Sequence, residues 1–135
     1  MRIDLPDPAG FAEVFKKTIG ISFDSEVTGI TTDSREVQSG DLYIAIAGER
    51  VDGHTFLKEI IDRGSDCALV NTVSKELTIT QIKVDNPVKA IGKVATAWRN
   101  QFHIPVIGIT GSNGKTSTKE LIKHVLSAQY NVHAT

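Results

Sequence analysis

Residues 108–120, GITGSNGKTSTKE, carry the residue types with the clearest chemistry in this chain. Gripping the phosphates of a nucleotide takes backbone N–H groups turned into one concavity, a helix N-terminus whose dipole favours anions, and a cation that reaches the terminal phosphates. Each requirement has a residue here. Gly111 and Gly114 allow unusual dihedrals and close backbone approach, Lys115 can reach β- and γ-phosphates, and Thr116 can offer its hydroxyl to a magnesium ion. With Thr110, Ser112, Asn113 and Ser117 these residues make 110–117 the expected nucleotide-binding loop, with Thr116 as the metal contact. The strict spacing G-x-x-x-x-G-K would need a glycine at Ile109, so what stands here is the looser G-x-x-G-K-T.

A glycine-rich turn between a strand and a helix is common in proteins that bind no phosphate, so the flanking elements decide its meaning. Before the loop, PVIGIT is a nearly continuous apolar run, which suits a strand covered on both faces. After it, Leu121, Ile122, Val125 and Leu126 make an amphipathic helix from Lys115 to about Ala128, and YNVHAT reads as the start of another strand. That setting favours a phosphate loop.

A second group of polar residues stands earlier in the chain. TTDSR puts Asp33, Ser34 and Arg35 after one expected strand, and GERVDGHTF puts Glu49, Arg50, Asp52, His54 and Thr55 after the next. Loops at the carboxyl ends of strands line ligand sites in α/β folds, and two such loops on adjacent strands can form one pocket. Taken singly, each of these residues reads as part of a solvated face, with a turn at Ser39-Gly40-Asp41 and a helix-start histidine at His54. Their pairing is the functional signal.

The elements that would hold these loops alternate between period 2 and period 3.6, which reads as α/β. Asp7 and Pro8 open a helix with Phe11, Val14 and Phe15 on its apolar side and Gly20 beyond its end. Strands are expected over Val27–Thr32, LYIAIAG, CALVN and ITQIKV. A helix from Thr55 buries Leu57, Ile60 and Ile61 and stops at Arg63-Gly64. Another opens at Asn86-Pro87, with Val88, Ile91, Ala95, Trp98 and Phe102 as its packed stripe. The change of character near residues 100–104 divides the chain into a mixed-sheet domain, 1–102, and the beginning of a second domain, 103–135.

At 135 residues the chain is long enough for about one full domain. A formal net charge of -1 provides no positive field for nucleic acid or anionic lipid. The N-terminus lacks a signal-peptide core and no stretch reaches the ~18 apolar residues of a membrane span, so a cytoplasmic location is the expectation. Cys67, the single cysteine, sits in CALV and reads as a buried core thiol rather than a nucleophile. His103, His124 and His133 are too scattered for a metal site.

Taken together, TTDSREVQSGDLYIAIAGERVDGHTF and WRNQFHIPVIGITGSNGKTSTKE resemble the N-terminal part of the Mur ligases, from about residue 27 to residue 135. Two motif blocks in the family's order are more specific than either alone. The resemblance implies a cytoplasmic ATP- and Mg2+-dependent ligase of peptidoglycan precursor synthesis, monomeric when complete. Its first domain would grip a UDP-sugar, its central domain would bind ATP, and the substrate carboxylate would be activated as an acyl phosphate before an amine attacks it. Lys115 and Thr116 match the family's phosphate loop and would be its catalytic pair, stabilising charge that develops on the transferred phosphoryl group. Ser34, Arg35, Glu49, Arg50, Asp52 and His54 would be the contacts to the UDP end. Within the family, GERVDGH and TGSNGKTSTKE, with Lys119-Glu120, are most similar to the members that join D-alanyl-D-alanine to UDP-N-acetylmuramoyl-tripeptide. The members that add the third, usually diamino, residue are the competitor; they typically carry a threonine where Ser112 stands. A free-standing UDP-sugar-binding module and an unrelated phosphate-loop NTPase are the remaining alternatives. The resemblance also implies that these residues alone lack ligase activity, and that an apolar VIGIT strand without its sheet invites self-association.

Overall fold

The computed structural model describes residues 2–49 and 51–135, which form two compact units, one up to Phe102 and one from His103 to Thr135. The first is built on a five-stranded mixed sheet in spatial order β1 (Arg2–Asp4), β2 (Gly29–Thr31), β3 (Asp41–Ile44), β4 (Cys67–Val70) and β5 (Thr80–Lys83). β1 runs antiparallel to β2, and each later strand is parallel to its neighbour.

Every residue of β3 and β4 is buried, because the sheet is covered on both sides. Leu42, Ile44, Cys67, Leu69 and Ile82 face a cluster with Phe11, Val14 and Phe15 of α1 (Pro8–Ile19) and Ala90 and Val94 of α3 (Pro87–Arg99). The intervening Tyr43, Ala45, Ala68 and Val70 face the other way, against Leu57 and Ile60 of α2 (Leu57–Asp62). Period-2 alternation thus sorts one strand's side chains into two cores. Phe23 closes the first core with its ring centroid 4.4 Å from that of Phe15.

The helix ends follow the sequence signals. Asp7 accepts a hydrogen bond from the Gly10 N–H at 2.9 Å and Asn86 from the Lys89 N–H at 2.9 Å. Gly20, at φ 85°, ends α1 with its N–H on the Lys16 carbonyl, and Gly64, at φ 89°, follows α2.

Several expectations are corrected. The stripe of α3 is rotated: Pro87, Ala90 and Val94 are buried with Ile91, Ala97 and Trp98 packed beside them, whereas Val88 and Ala95 are exposed. Val88 and Ala95 match a helical spacing as well as their neighbours do, and only the position of the sheet chooses the face. β2 is shorter than Val27–Thr32, and β3 ends at Ile44, after which the chain turns away until Ala47 bridges Asp52. The helix expected from Thr55 begins as a 3-10 turn over Gly53–Phe56 before α2. β1, absent from the sequence reading, is held by its ladder with β2 and by an ion pair to β3. Arg2 donates from Nε and Nη2 to the two carboxylate oxygens of Asp41 at 2.8 and 2.9 Å, and also meets Asp4. Asp41, expected in a solvated turn, is fully buried.

In the second unit α4 spans Lys115–Leu126. Neither 106–110 nor 130–135 is a strand, because no described segment lies beside either to complete a ladder of hydrogen bonds. No residue of α4 is buried, and Leu121 and Val125 stand 64% and 61% exposed. Among the described residues, no helix is long and apolar enough to cross a membrane.

Candidate functional site

In the first unit the two polar loops stand at the carboxyl ends of the adjacent parallel strands β2 and β3. The first folds into a 3-10 turn over Ser34–Glu36 because the Asp33 side chain caps it, accepting from the Arg35 N–H at 3.1 Å. Asp33 also takes the Arg35 guanidinium, with Nε at 2.9 Å and Nη2 at 2.6 Å. These side-chain bonds, then the backbone N–H, hold the Asp33 carboxyl well below the usual carboxylate range. Arg35 itself stays exposed, and Ser34 is buried with its hydroxyl donating to Glu59 Oε2 at 3.3 Å.

The second loop repeats the device. Asp52 caps Gly53–Phe56, accepting from the His54 N–H at 3.0 Å, with the His54 ring Nδ1 at 2.7 Å. The backbone bond, then the ring bond, lowers the Asp52 pKa. The Asn71 N–H donates to Nε2 of His54 at 3.3 Å. A backbone N–H can only donate, so Nε2 accepts and the ring proton sits on Nδ1, facing Asp52. His54 therefore ties its loop to the end of β4, a role its position in sequence did not suggest.

Gly53 is required by close approach. Its N–H donates to the Ile46 carbonyl at 2.8 Å, and a Cβ there would lie 2.7 Å from the Ile46 nitrogen. The Tyr43 hydroxyl, buried beneath, donates to the Gly53 carbonyl at 3.1 Å. Burial first, then the charges of Asp33, Glu59 and Asp52, pushes the Tyr43 phenol up to about 12. Those three carboxylates come from the first turn, α2 and the second turn, and α2 touches both turns.

Ser34 and Arg35 thus stand on one capped turn and Asp52 and His54 at the other, at the ends of adjacent strands. Glu49 lies exposed on the second loop, and Arg50 falls outside the described residues. Sequence reasoning missed Glu59, Asn71 and Tyr43, which support the turns. Glu59 is legible in retrospect as an acidic residue one turn before Arg63 on a short helix, a pattern that by itself signals only an exposed pair.

In the second unit, Gly111 and Gly114 both adopt positive φ, 149° and 75°. Gly114 is the N-cap of α4 and supplies no side chain, so the Lys115, Thr116 and Ser117 N–H groups have no side-chain cap. The first helical bond runs from the Thr118 N–H to the Gly114 carbonyl at 2.9 Å. Lys115 folds back over the loop, its ammonium donating to the Gly111 carbonyl at 2.6 Å. Thr110, Ser112, Asn113, Thr116 and Ser117 are exposed around this turn. Lys119 pairs with Glu120 at 3.2 Å and donates to the Thr135 carbonyl at 2.8 Å. Among the described residues no three His, Cys, Asp or Glu side chains gather as a metal site. Cys67 is buried and its thiol, raised by burial and then by Asp66 and Asp41, stands at about 12, as suits a core residue.

Comparisons with known proteins agree with this layout. Residues 26–99 match the Mur ligase family catalytic domain and residues 109–135 the Mur ligase middle domain. The UDP-N-acetylmuramoyl-tripeptide–D-alanyl-D-alanine ligase of Synechocystis sp. is 42% identical over 117 residues, covering 85% of this chain and 26% of its own length. The UDP-N-acetylmuramoyl-L-alanyl-D-glutamate–2,6-diaminopimelate ligase of Aquifex aeolicus is 43% identical over 103 residues, covering 74% of this chain and 21% of its own. Among solved structures, the UDP-N-acetylmuramoylalanyl-D-glutamyl-2,6-diaminopimelate–D-alanyl-D-alanyl ligase from Acinetobacter baumannii superposes with a TM-score of 0.78 at 32% identity, over 87% of this chain and 28% of that one. The MurF ligase from Thermotoga maritima in complex with ADP does so with a TM-score of 0.64 at 31% identity, over 74% and 23%. The chain spans about a quarter of the length of the curated relatives it matches. Both halves match domains of one family in that family's order, so the chain belongs to the Mur ligase family.

Proposed function

We propose that residues up to 102 grip the UDP end of a muramoyl-peptide and that residues 103–135 open the ATP-binding domain of an ATP-dependent amide ligase of peptidoglycan precursor synthesis. The reaction is the addition of D-alanyl-D-alanine to UDP-N-acetylmuramoyl-tripeptide. The observation that carries this reading is the pairing of the two capped turns, Ser34–Glu36 and Gly53–Phe56, on adjacent strand ends. Ser34, Arg35, Glu49, Arg50, Asp52 and His54 contact the uridine diphosphate in this reading.

The 110–117 loop fits a nucleotide's phosphates. Gly114 leaves the first-turn N–H groups without a side-chain cap, and the Lys115 ammonium is held over the loop by one carbonyl that an anionic oxygen can replace. Bound ATP supplies the activation of the substrate carboxylate as an acyl phosphate. Lys115 and the loop N–H groups hold the phosphates and offset negative charge that develops there. Thr116 is the one ligand these residues offer a magnesium ion, which takes much of its coordination from phosphate and water.

A ligase adding a diamino acid to the UDP-muramoyl-dipeptide is the second reading, favoured by relatives of that kind at similar identity. Ser112, where that group typically has threonine, favours the first. Calorimetric titration of the chain with UDP-N-acetylmuramoyl-tripeptide, the corresponding dipeptide and magnesium ATP tests the assignment. Preference for the tripeptide, unchanged by Lys115→Ala, supports it. Preference for the dipeptide selects the second reading, and ATP binding with no response to either UDP compound overturns both.

A further inference from the structure

The Ser34–Glu36 turn is three residues long and closes on the Glu36 N–H to Asp33 carbonyl bond at 3.1 Å, a weak internal support for a segment that must present side chains with fixed geometry. Besides the Asp33 side-chain cap, it is held by two bonds from 25 and 28 residues away. Arg63, just beyond α2, donates from Nη1 to the Arg35 carbonyl at 3.1 Å and from Nε to Glu59 Oε1 at 3.1 Å. The other oxygen of Glu59 accepts the Ser34 hydroxyl.

We propose that Glu59 and Arg63 are positioning residues that clamp the Ser34–Arg35 turn, one through a side chain and one through the backbone, so that nucleotide-sugar affinity depends on them without their touching the ligand. This rests on the UDP-binding reading above. The two side chains are 38% and 42% exposed, so their own pairing adds little to global stability. Their effect lies in the turn. Freeing about one residue's backbone restores an ordering cost that the ligand must then meet, about a tenfold loss of affinity.

The test uses the 135-residue chain as wild type, Arg63→Ala, Arg63→Lys and Glu59→Gln, with UDP-N-acetylmuramoyl-tripeptide as titrant. Amide hydrogen exchange at residues 35 and 36 is followed without ligand, together with the melting temperature. The clamp predicts that Arg63→Ala speeds exchange at those amides and weakens binding about tenfold, with the melting temperature within about 2 °C of wild type. Arg63→Lys recovers part of the affinity because one ammonium cannot serve both acceptors in the same geometry. Glu59→Gln, which keeps an acceptor for Ser34 but loses the charge facing Arg63, falls between. Wild-type affinity and exchange in Arg63→Ala overturn the clamp alone. A loss of affinity that tracks a large fall in melting temperature overturns it in favour of a purely structural role. Failure of wild type to bind the UDP compound removes the underlying reading, and the clamp's role in binding with it.

Discussion

Replacing Gly29 with alanine tests the account of how β1 joins the sheet. Asp4, Gly29 and Asp41 are aligned across β1, β2 and β3, and the Arg2 guanidinium crosses above Gly29 to reach Asp41. A Cβ at Gly29 would lie 2.5 Å from Nη2 and 2.9 Å from Cζ of Arg2, and closer still to Oδ1 of Asp41. In an ordinary strand the change stabilises by roughly 0.5–1 kcal/mol through lower unfolded-state entropy. Here it evicts Arg2 and leaves the buried Asp41 carboxylate with the Gln38 N–H, 2.9 Å from Oδ2. Orphaning one member of a buried pair costs about 3–5 kcal/mol. The net expectation is a loss of ~2–4 kcal/mol, or about 10–20 °C in melting temperature for a domain this size. Urea unfolding followed by Trp98, the single tryptophan, which packs against the first core, measures it. In an Arg2→Ala/Asp41→Ala background the same change should become neutral or stabilising, because nothing remains to evict. A Gly29→Ala protein as stable as wild type, or the same loss in both backgrounds, refutes the reasoning.

Further expectations follow from the same geometry. Gly53→Ala forces a methyl against the Ile46 backbone just beyond β3, where the Gly53 N–H to Ile46 carbonyl bond holds the two segments together, and should cost about 1–3 kcal/mol by thermal unfolding. Lys115→Ala should abolish magnesium ATP binding by calorimetry while leaving the first unit's melting temperature unchanged, since Lys115 bonds only within its own loop. Cys67 keeps its proton when folded, with a pKa of about 12 against an ordinary 9.0. Its contribution to stability is therefore complete below about pH 9 and lost as the pH rises toward 12, a decline that a Cys67→Ala protein should not share in pH-dependent urea unfolding. Leu121 and Val125, on one face of α4, should drive concentration-dependent association that Leu121→Lys/Val125→Lys removes, and a monomer at all concentrations in sedimentation velocity counts against this.

The candidate residues were legible because each depends on local chemistry. Glycines at positive φ before a Lys-Thr helix start, and Asp caps followed two residues later by Arg or His, are written within a few positions of the chain. Helix ends set by Asp7-Pro8, Gly20 and Asn86-Pro87 were legible for the same reason. What supports the site was not. Arg2 with Asp41, Ser34 with Glu59, and His54 with Asn71 are separated by 39, 25 and 17 residues, and no spacing rule joins them. The buried face of α3 was undetermined too, because Val88 and Ala95 offered as good an apolar stripe as Ala90 and Val94 until the sheet gave the helix a direction. VIGIT shows the same dependence, since an apolar run specifies burial but becomes a strand only when another strand completes its hydrogen bonds. By itself the sequence determined where the chain turns and where its helices are capped, because those are contests between neighbouring residues. Tertiary structure alone decided which charges are buried and paired, which helix face packs, and which distant side chains fix the turns, because those outcomes depend on desolvation and contacts between segments remote in the chain.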